Sequence, residues 1–584
     1  MRCREMRFPK TSCAFTSGMV GIVLCALLAG AGTSSASATA TSEPQVLYVG
    51  NFNGVTTPAG STFTTIQAAV DAAKKNDWIL VAPGDYHETG DMGTNAPTAA
   101  DLKDGWYGGV DITTPDIHLR GMDRNTVIVD GTLASASTPC SSASADQNSL
   151  NGDGRNGILI WKAGGVIVDN LTVCNFIAGS GASGNEIWWN GGYGSGKVAL
   201  DGYSGSYLTT TSTYFAGSDK TDADICATCA LYGIFSSNST GGSWNEVYAN
   251  NFADSGMYVG ACQQVCDVTI DNAQMEDNTL GYSGTNSGGQ VLIENSTFDN
   301  NKEGLDTNTA LTGDPPPPQD GECPGNKATS TSVLIPGGVN SCWVFMDNIV
   351  KDNNNPNVPV EGTAGLGPTG TGMTISGGRN DTIIDNEFLD NGAWGMLFVP
   401  YPEANKSSDG KTCKGTGGVV ATSAGISGIS CLYDPEGDAS LDNKFSGDGS
   451  FGQSTNSDVG NLLSSGKEPW NCFSGNNEWN SSFTQESGAA TSADSQFMPS
   501  TCAGTTPKAA LLGSNTDLDL LLEVECDAGL EAGCATGYPQ ATKVVMEPLP
   551  TLPSMPNPCE GVPANDWCPG GTPASVRGTA SSRK

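Results

Sequence analysis

The sequence predicts an all-β solenoid, a stack of short parallel strands wound into coils, and three observations carry that prediction. A phrase returns at a fixed interval: Val268-Thr269-Ile270-Asp271-Asn272 is answered 23 residues later by Val291-Leu292-Ile293-Glu294-Asn295. Glycine-led strands begin at Gly157, Gly233, Gly256, Gly281, Gly304, Gly372 and Gly395, and the steps 233 to 256, 281 to 304 and 372 to 395 are again 23 residues. A strand, a polar turn and a second strand repeated at that period are the pattern of a solenoid. Composition agrees, since 77 of the 584 residues are Gly and only 37% are hydrophobic. Each coil needs only a thin row of inward side chains and gives the rest to turns.

The elements follow in chain order. Arg2, Arg4, Arg7 and Lys10 precede an apolar run from Met19 to Gly30 and the small residues Ala36-Ser37-Ala38. That is the order of a secretory signal peptide, so residues 1–38 are assigned to it and residues 39–45 to a spacer. Export fits the cysteines: 19 less Cys3, Cys13 and Cys25 leaves an even 16 for disulfides. Cys226/Cys229 and Cys262/Cys266 have metal-like spacing, but the chain has only His87 and His118 to complete a zinc site, which favours local disulfides. With 62 acidic against 27 basic residues, the net charge of −35 argues against binding nucleic acid or anionic membrane through a basic patch. It would also repel a polyanionic polysaccharide unless Ca²⁺ bridged the two.

Leu47-Tyr48-Val49 reads as a first strand. Phe63 to Ala73 then places apolar residues at helical spacing after a Thr start, and Trp78 to Tyr86 returns to strand. The order TIQAAVDAA, ILVAPGDY, GVDI, IHLRG and TVIVDG, from Thr65 to Gly131, resembles the capping helix and opening coils of the right-handed parallel β-helix proteins of the pectin-lyase-like superfamily. A helix there would cover the open end of the apolar column. The resemblance implies a right-handed parallel β-helix over residues 46–480 and leaves the reaction open, because the superfamily includes lyases, hydrolases, epimerases, esterases and non-catalytic adhesins. Residues 481–584 are Ser-, Pro- and Cys-rich and are expected to form a loosely structured tail.

Residues 132–156 and about 178–230 carry few strand signals and read as long loops or as coils that keep the repeat poorly. From Leu231 to Phe398 the repeat is clearest, and Val166 to Asn170, Val344 to Asn348 and Thr382 to Asn386 echo the phrase. Two arcs are too long, by about 30 residues after Gly304 and about 15 before Gly372, which places spliced loops near Thr309–Ser341 and Asn354–Thr371. The Asn closing each phrase is expected to be a turn residue stacked on its equivalents.

Alternation sorts the glycine-led strands into faces. Ile158, Ile234, Met257, Tyr282, Leu305, Met373 and Met396 point inward, and Leu159, Phe235, Tyr258, Ser283, Asp306, Thr374 and Leu397 form an outward ladder. The spliced loops leave after Asp306-Thr307-Asn308 and return before Thr374-Ile375-Ser376, so they would wall a groove there, with Lys302, Glu303, Asp352, Arg379 and Asp381 at its margins. Hydrolysis would use Asp306 with Glu303 or Asp352 as a carboxyl pair. β-Elimination would use Lys302 or Arg379 as base, with Asp306 and Asp352 holding Ca²⁺. Asn308, Thr374, Ser376 and Tyr258 would contact substrate, although aromatics such as Trp161, Tyr258 and Phe235 equally suit packing beneath loops. The chain lacks the tandem aspartates of the polygalacturonases, the Asp-Pro-His of the alginate epimerases and the paired arginines of the pectate lyases. The expectation is therefore an exported, monomeric, polysaccharide-recognising β-helix protein of lyase or hydrolase chemistry, against a non-catalytic adhesive solenoid that binds glycan or a protein partner.

Overall fold

The computed structural model describes residues 43–584 except 53–56, 58, 91–107, 149–153, 180–183, 193–196, 217–227, 263–264, 310–320, 322, 324–326, 336–338, 403–418, 422–428, 463–470, 478–514, 528–537 and 571–584. The signal-peptide expectation for residues 1–38 and the position of Cys226 lie outside the described residues.

The chain is a right-handed parallel β-helix. One wall is a sheet of ten parallel strands. They are β1 (Gly108–Ile112), β2 (Asn156–Trp161), β3 (Asn185–Asn190), β4 (Tyr232–Ser237), β5 (Ser255–Gly260), β6 (Leu280–Ser283), β7 (Glu303–Asn308), β8 (Thr371–Ser376), β9 (Trp394–Val399) and β10 (Ser457–Asn461). At about 4.8 Å per strand this wall is about 43 Å long. A 21-stranded sheet forms the remaining walls.

The interior is a column of stacked apolar rungs. Val110, Ile158, Ile187, Ile234, Met257, Tyr282, Leu305, Met373, Met396 and Val459 are register partners in turn. All are buried, and each fully buried side chain of this kind stabilises the fold by about 1.5–3 kcal/mol. The glycine at this position in eight of the ten strands has a steric cause. A Cβ on Gly304 would lie 2.3 Å from the Gly372 carbonyl oxygen, and one on Gly372 would lie 2.5 Å from that of Gly395. Strands β7 and β8 are neighbours, with Leu305 opposite Met373 and Asp306 opposite Thr374, so the two long insertions interrupt otherwise regular coils.

Helix α1 (Ile66–Ala72) caps the N-terminal end, burying Ile66, Ala69 and Val70 in the column. It begins later than the apolar pattern because Thr65 is its N-cap, accepting from the Ala68 N–H at 3.2 Å. The Glu88 carboxylate accepts the N–H groups of Ile66 and Gln67 at 2.6 and 3.2 Å, satisfying the first turn.

Within residues 178–230 the coil reading holds: β3 and a twelve-residue strand, Leu200–Thr211, complete a coil there. One expectation needs correction. The phrase ending at Asn348 is slipped by one residue, since Val291 pairs with Trp343 and Glu294 with Met346. Asp347, at φ 55°, is therefore the turn residue equivalent to Asn295, and Asn348 points inward. There it starts an amide ladder, donating to Asn386 at 3.0 Å, which donates to Asn443 at 2.9 Å. A second ladder runs Asn278, Asn301, Asn353, Asn391 and Asp448 at 2.9–3.1 Å. Stacked amides satisfy one another and the backbone, which is how a buried turn avoids orphaned polar groups.

Beyond the helix, the tail's one regular element among the described residues is α2 (Asn515–Asp527). Its Leu520 packs with Trp394, Leu397 and Val399 on the outer face of β9. No helix among the described residues is long and apolar enough to cross a membrane. Disulfides join Cys140–Cys174, Cys262–Cys266, Cys323–Cys342 and Cys559–Cys568. The Cys262/Cys266 pair is thus a local disulfide.

Candidate functional site

The outward ladder of the ten-stranded sheet runs Asp111, Leu159, Trp188, Phe235, Tyr258, Ser283, Asp306, Thr374, Leu397 and Gly460. It divides into an aromatic block, a polar block and a covered end. In the aromatic block Trp188 stacks on Phe235 with centroids 4.8 Å apart, and Tyr258 meets Phe235 edge-on at 4.7 Å. Leu159, Trp161, Trp188 and Phe235 are all 9% exposed or less, so most of this block is packing surface. Tyr258 is half-buried, and its hydroxyl donates to the Thr285 carbonyl at 3.3 Å.

The polar block is built around Asp306. Its Oδ1 accepts from Ser376 Oγ at 3.1 Å and its Oδ2 from Asn308 Nδ2 at 3.3 Å. Burial pushes its pKa up to about 6, and those two donors hold it from rising further. On the same strand Glu303 is fully buried, and its Oε1 accepts from the Thr374 hydroxyl. Burial, and then the Asp306 charge, raise the Glu303 pKa well above the carboxylate range. Its Oε2 is buried without a hydrogen-bond partner among the described residues. Thr374, Ser376 and Asn308 are 2%, 5% and 8% exposed, so their first role is to orient the two carboxyls.

Lys302 is 8% exposed and donates to the Gly367 carbonyl in the loop before β8. Burial lowers its pKa, while Asp527 and Glu303 oppose that shift. Asp527 lies at the end of α2, and burial carries its pKa to about 7 against the pull of Lys302. Asp254, in the turn before β5, also stands at about 7 through burial, moderated by Tyr232, whose hydroxyl donates to it at 2.7 Å. Tyr401 is raised to about 12 by burial and by Asp306. Asp254, Tyr401 and Asp527 were absent from the sequence-derived site. Asp254 sits in an irregular turn, Tyr401 just past a strand end and Asp527 in the tail, and none repeats a motif.

Two predicted residues are not brought to Asp306. Asp352 is an exposed turn residue at φ 52°, following a strand of the other sheet, Ile349–Lys351, with Asp299, Lys351 and Asp390 as its charged neighbours. A Ca²⁺ site shared by Asp306 and Asp352 is therefore not assembled. Arg379 lies past the end of β8, where its backbone forms a parallel β-bridge with Glu436, and its charge works against the burial that raises the pKa of Asp438 well above the carboxylate range. Its neighbour Asp381 is buried beside Asp438, whose Oδ1 accepts the Asp381 N–H at 3.0 Å. Turns carry both segments away from the groove that their sequence positions suggest.

Fold and site together define a right-handed parallel β-helix protein with a buried acidic cluster on its outer ladder. No family model matches the chain, and no curated protein does. Among solved structures it is similar to the A-module of a mannuronan C-5 epimerase from Azotobacter vinelandii, with 12% identity over 74% of this chain and 94% of that one at a TM-score of 0.37. A polygalacturonase from Erwinia carotovora gives 10% identity over 69% and 93% at 0.33. A surface adhesin of Streptococcus pneumoniae gives 11% over 63% and 95% at 0.25. Identities and scores this low say nothing about reaction or ligand.

Proposed function

We propose that this chain is an exported β-helix protein that binds a polysaccharide over the outer ladder and hydrolyses a glycosidic bond between Asp306 and Glu303. The observation that carries the reading is the split between two interacting carboxyls. Asp306, at about 6, is ionised near neutral pH, while burial and the Asp306 charge hold the deeper Glu303 well above the carboxylate range. One ionised and one protonated carboxyl are what glycoside hydrolysis asks for: Glu303 as general acid to the leaving oxygen, Asp306 as base or nucleophile. Elimination is less well served, because Lys302 is tied to Gly367 and opposed by Asp527, and Arg379 is engaged at Asp438. The crowd of acidic groups favours a neutral glycan over a polyuronate. Export is supported by the disulfides, which persist in oxidising compartments.

Burial of Thr374, Ser376 and Asn308 favours a second reading, in which the ladder binds a glycan without cleaving it. Incubation with neutral and acidic polysaccharides, with and without Ca²⁺, separates the two. New reducing ends from wild type, lost in Glu303→Gln and Asp306→Asn, are expected. Binding with no new reducing end or unsaturated product from any of them would refute hydrolysis.

A further inference from the structure

Residues 541–568 lie along the side of the helix and run back from its later coils to the first. Their backbone is held by a row of asparagines. Asn357 Oδ1 accepts the N–H groups of Thr542 and Lys543 at 2.9 and 3.2 Å. Asn251 makes a two-way pair with Glu547, accepting its N–H and donating to its carbonyl, both at 3.0 Å. Asn125 repeats that pair on Leu552 at 2.9 and 2.8 Å. Asn170 Oδ1 accepts the Met555 N–H at 2.8 Å and the Ser554 hydroxyl at 2.9 Å. Arg124 donates to the Pro553 carbonyl at 3.3 Å, and Arg120 to those of Pro558 and Glu560. Past this row the Cys559–Cys568 ring seats Val562 and Cys568 against Tyr48, Phe52, Trp78, Leu80 and Met122, with Trp567 edge-on to Phe52 at 4.8 Å.

Apart from the Ser554 and Thr542 hydroxyls, the polar contacts of this row fall on main-chain N–H and carbonyl groups, which any sequence offers. The segment adds its own preorganisation: Pro548, Pro550, Pro553, Pro556 and Pro558 hold the chain extended and have no N–H to leave unpaired. The N–H groups the asparagines engage belong to non-proline residues, Thr542, Lys543, Glu547, Leu552 and Met555. A side-chain amide presenting carbonyl and NH₂ to one residue's N–H and C=O imitates a strand pairing. With the segment lifted off, the amides would meet water, so the row does not depend on its occupant for solubility.

We infer that Asn125, Asn170, Asn251 and Asn357, with Arg120 and Arg124, form a peptide-binding groove for an extended proline-rich segment, occupied in cis by residues 541–568 and open to exchange with the same peptide from outside. The test uses the full chain carrying a protease recognition sequence between Thr536 and Gly537. After cutting, the Cys559–Cys568 disulfide is internal to the released piece, so only non-covalent contacts can retain it. The piece is expected to co-elute with the β-helix on a sizing column. A labelled, oxidised 541–568 peptide in excess should replace it saturably, and Asn125→Ala or Asn251→Ala should weaken retention about tenfold each. A competitor peptide with Leu552→Pro lacks the N–H that Asn125 accepts and leaves the body of the protein untouched, so it should compete about tenfold less well. A cut piece that elutes alone, or a Leu552→Pro peptide that competes as well as the parent, would overturn the inference.

Discussion

Replacing Asp306 by Asn should make the protein more stable at alkaline pH while abolishing turnover. The folded-state pKa of about 6 stands above the ordinary 3.8. A carboxyl raised in this way contributes its stability fully below the unfolded value and loses it as pH rises through the folded one. At about 1.4 kcal/mol per pH unit the gap is worth about 3 kcal/mol, and partial solvent access to Asp306 reduces this to about 2 kcal/mol. Asn keeps the shape and both contacts: its carbonyl can accept from Asn308, and its NH₂ can donate to the Ser376 hydroxyl, which then accepts. Urea unfolding between pH 4 and pH 8 is the assay. Wild type and variant should coincide at pH 4 and separate to about 2 kcal/mol at pH 8 in favour of the variant. Asp254 and Asp527, both near 7, should leave the variant with some residual slope. Stability gained as turnover is lost marks a carboxyl kept charged for chemistry. Curves that superimpose at every pH would show that Asp306 does not occupy this buried setting.

Other substitutions test the scaffold and the boundaries of the site. Gly304→Ala puts a methyl 2.3 Å from the Gly372 carbonyl and should destabilise the chain by about 3 kcal/mol in the same unfolding assay, whereas a neutral result would contradict the close approach of β7 and β8. Asn353→Ala removes the acceptor of the Asn301 amides and the donor to the Phe298 carbonyl. With those partners buried the cost should be about 4 kcal/mol, read as a lower urea midpoint at unchanged slope. Asp352→Asn should leave turnover and its Ca²⁺ response as in wild type, and a loss of either would return Asp352 to the site.

Periodicity was legible because the interior enforces it. A large side chain must follow each glycine to fill the column, and the glycine must be bare because a carbonyl of the next coil crosses its Cβ position. The same rule hid one coil. At the position of Gly157, strand β3 carries Glu186, whose buried carboxylate accepts the Phe176 N–H at 3.2 Å. A search for glycine-led strands therefore passes over it, and Trp188 is missed from the outward ladder. The slip at Asp347-Asn348 has a comparable origin. Val344 to Asn348 spells the phrase, but Trp343, fully buried, is the residue paired with Val291. One residue of displacement moves an asparagine from the turn into the interior. At the proposed site, Asp306, Glu303 and Lys302 could be named from the sequence because they ride on the regular strand β7 or adjoin it. Asp527 was not, because its approach from the tail depends on packing of Leu520 against Trp394 and Leu397.

The returning tail alters how such a molecule can come apart. In an unadorned stack each coil leans only on the ones above and below, so the ends can fray while the middle holds. Here a single thread fastened at Asn357, Asn251, Asn125 and finally Trp78 links levels that never touch. Opening the first coil also strips the thread from its later anchors. Melting of the joined levels becomes one event, and assembly must wait for residues 559–568 to find the coil of Trp78, a contact of high sequence separation that slows folding.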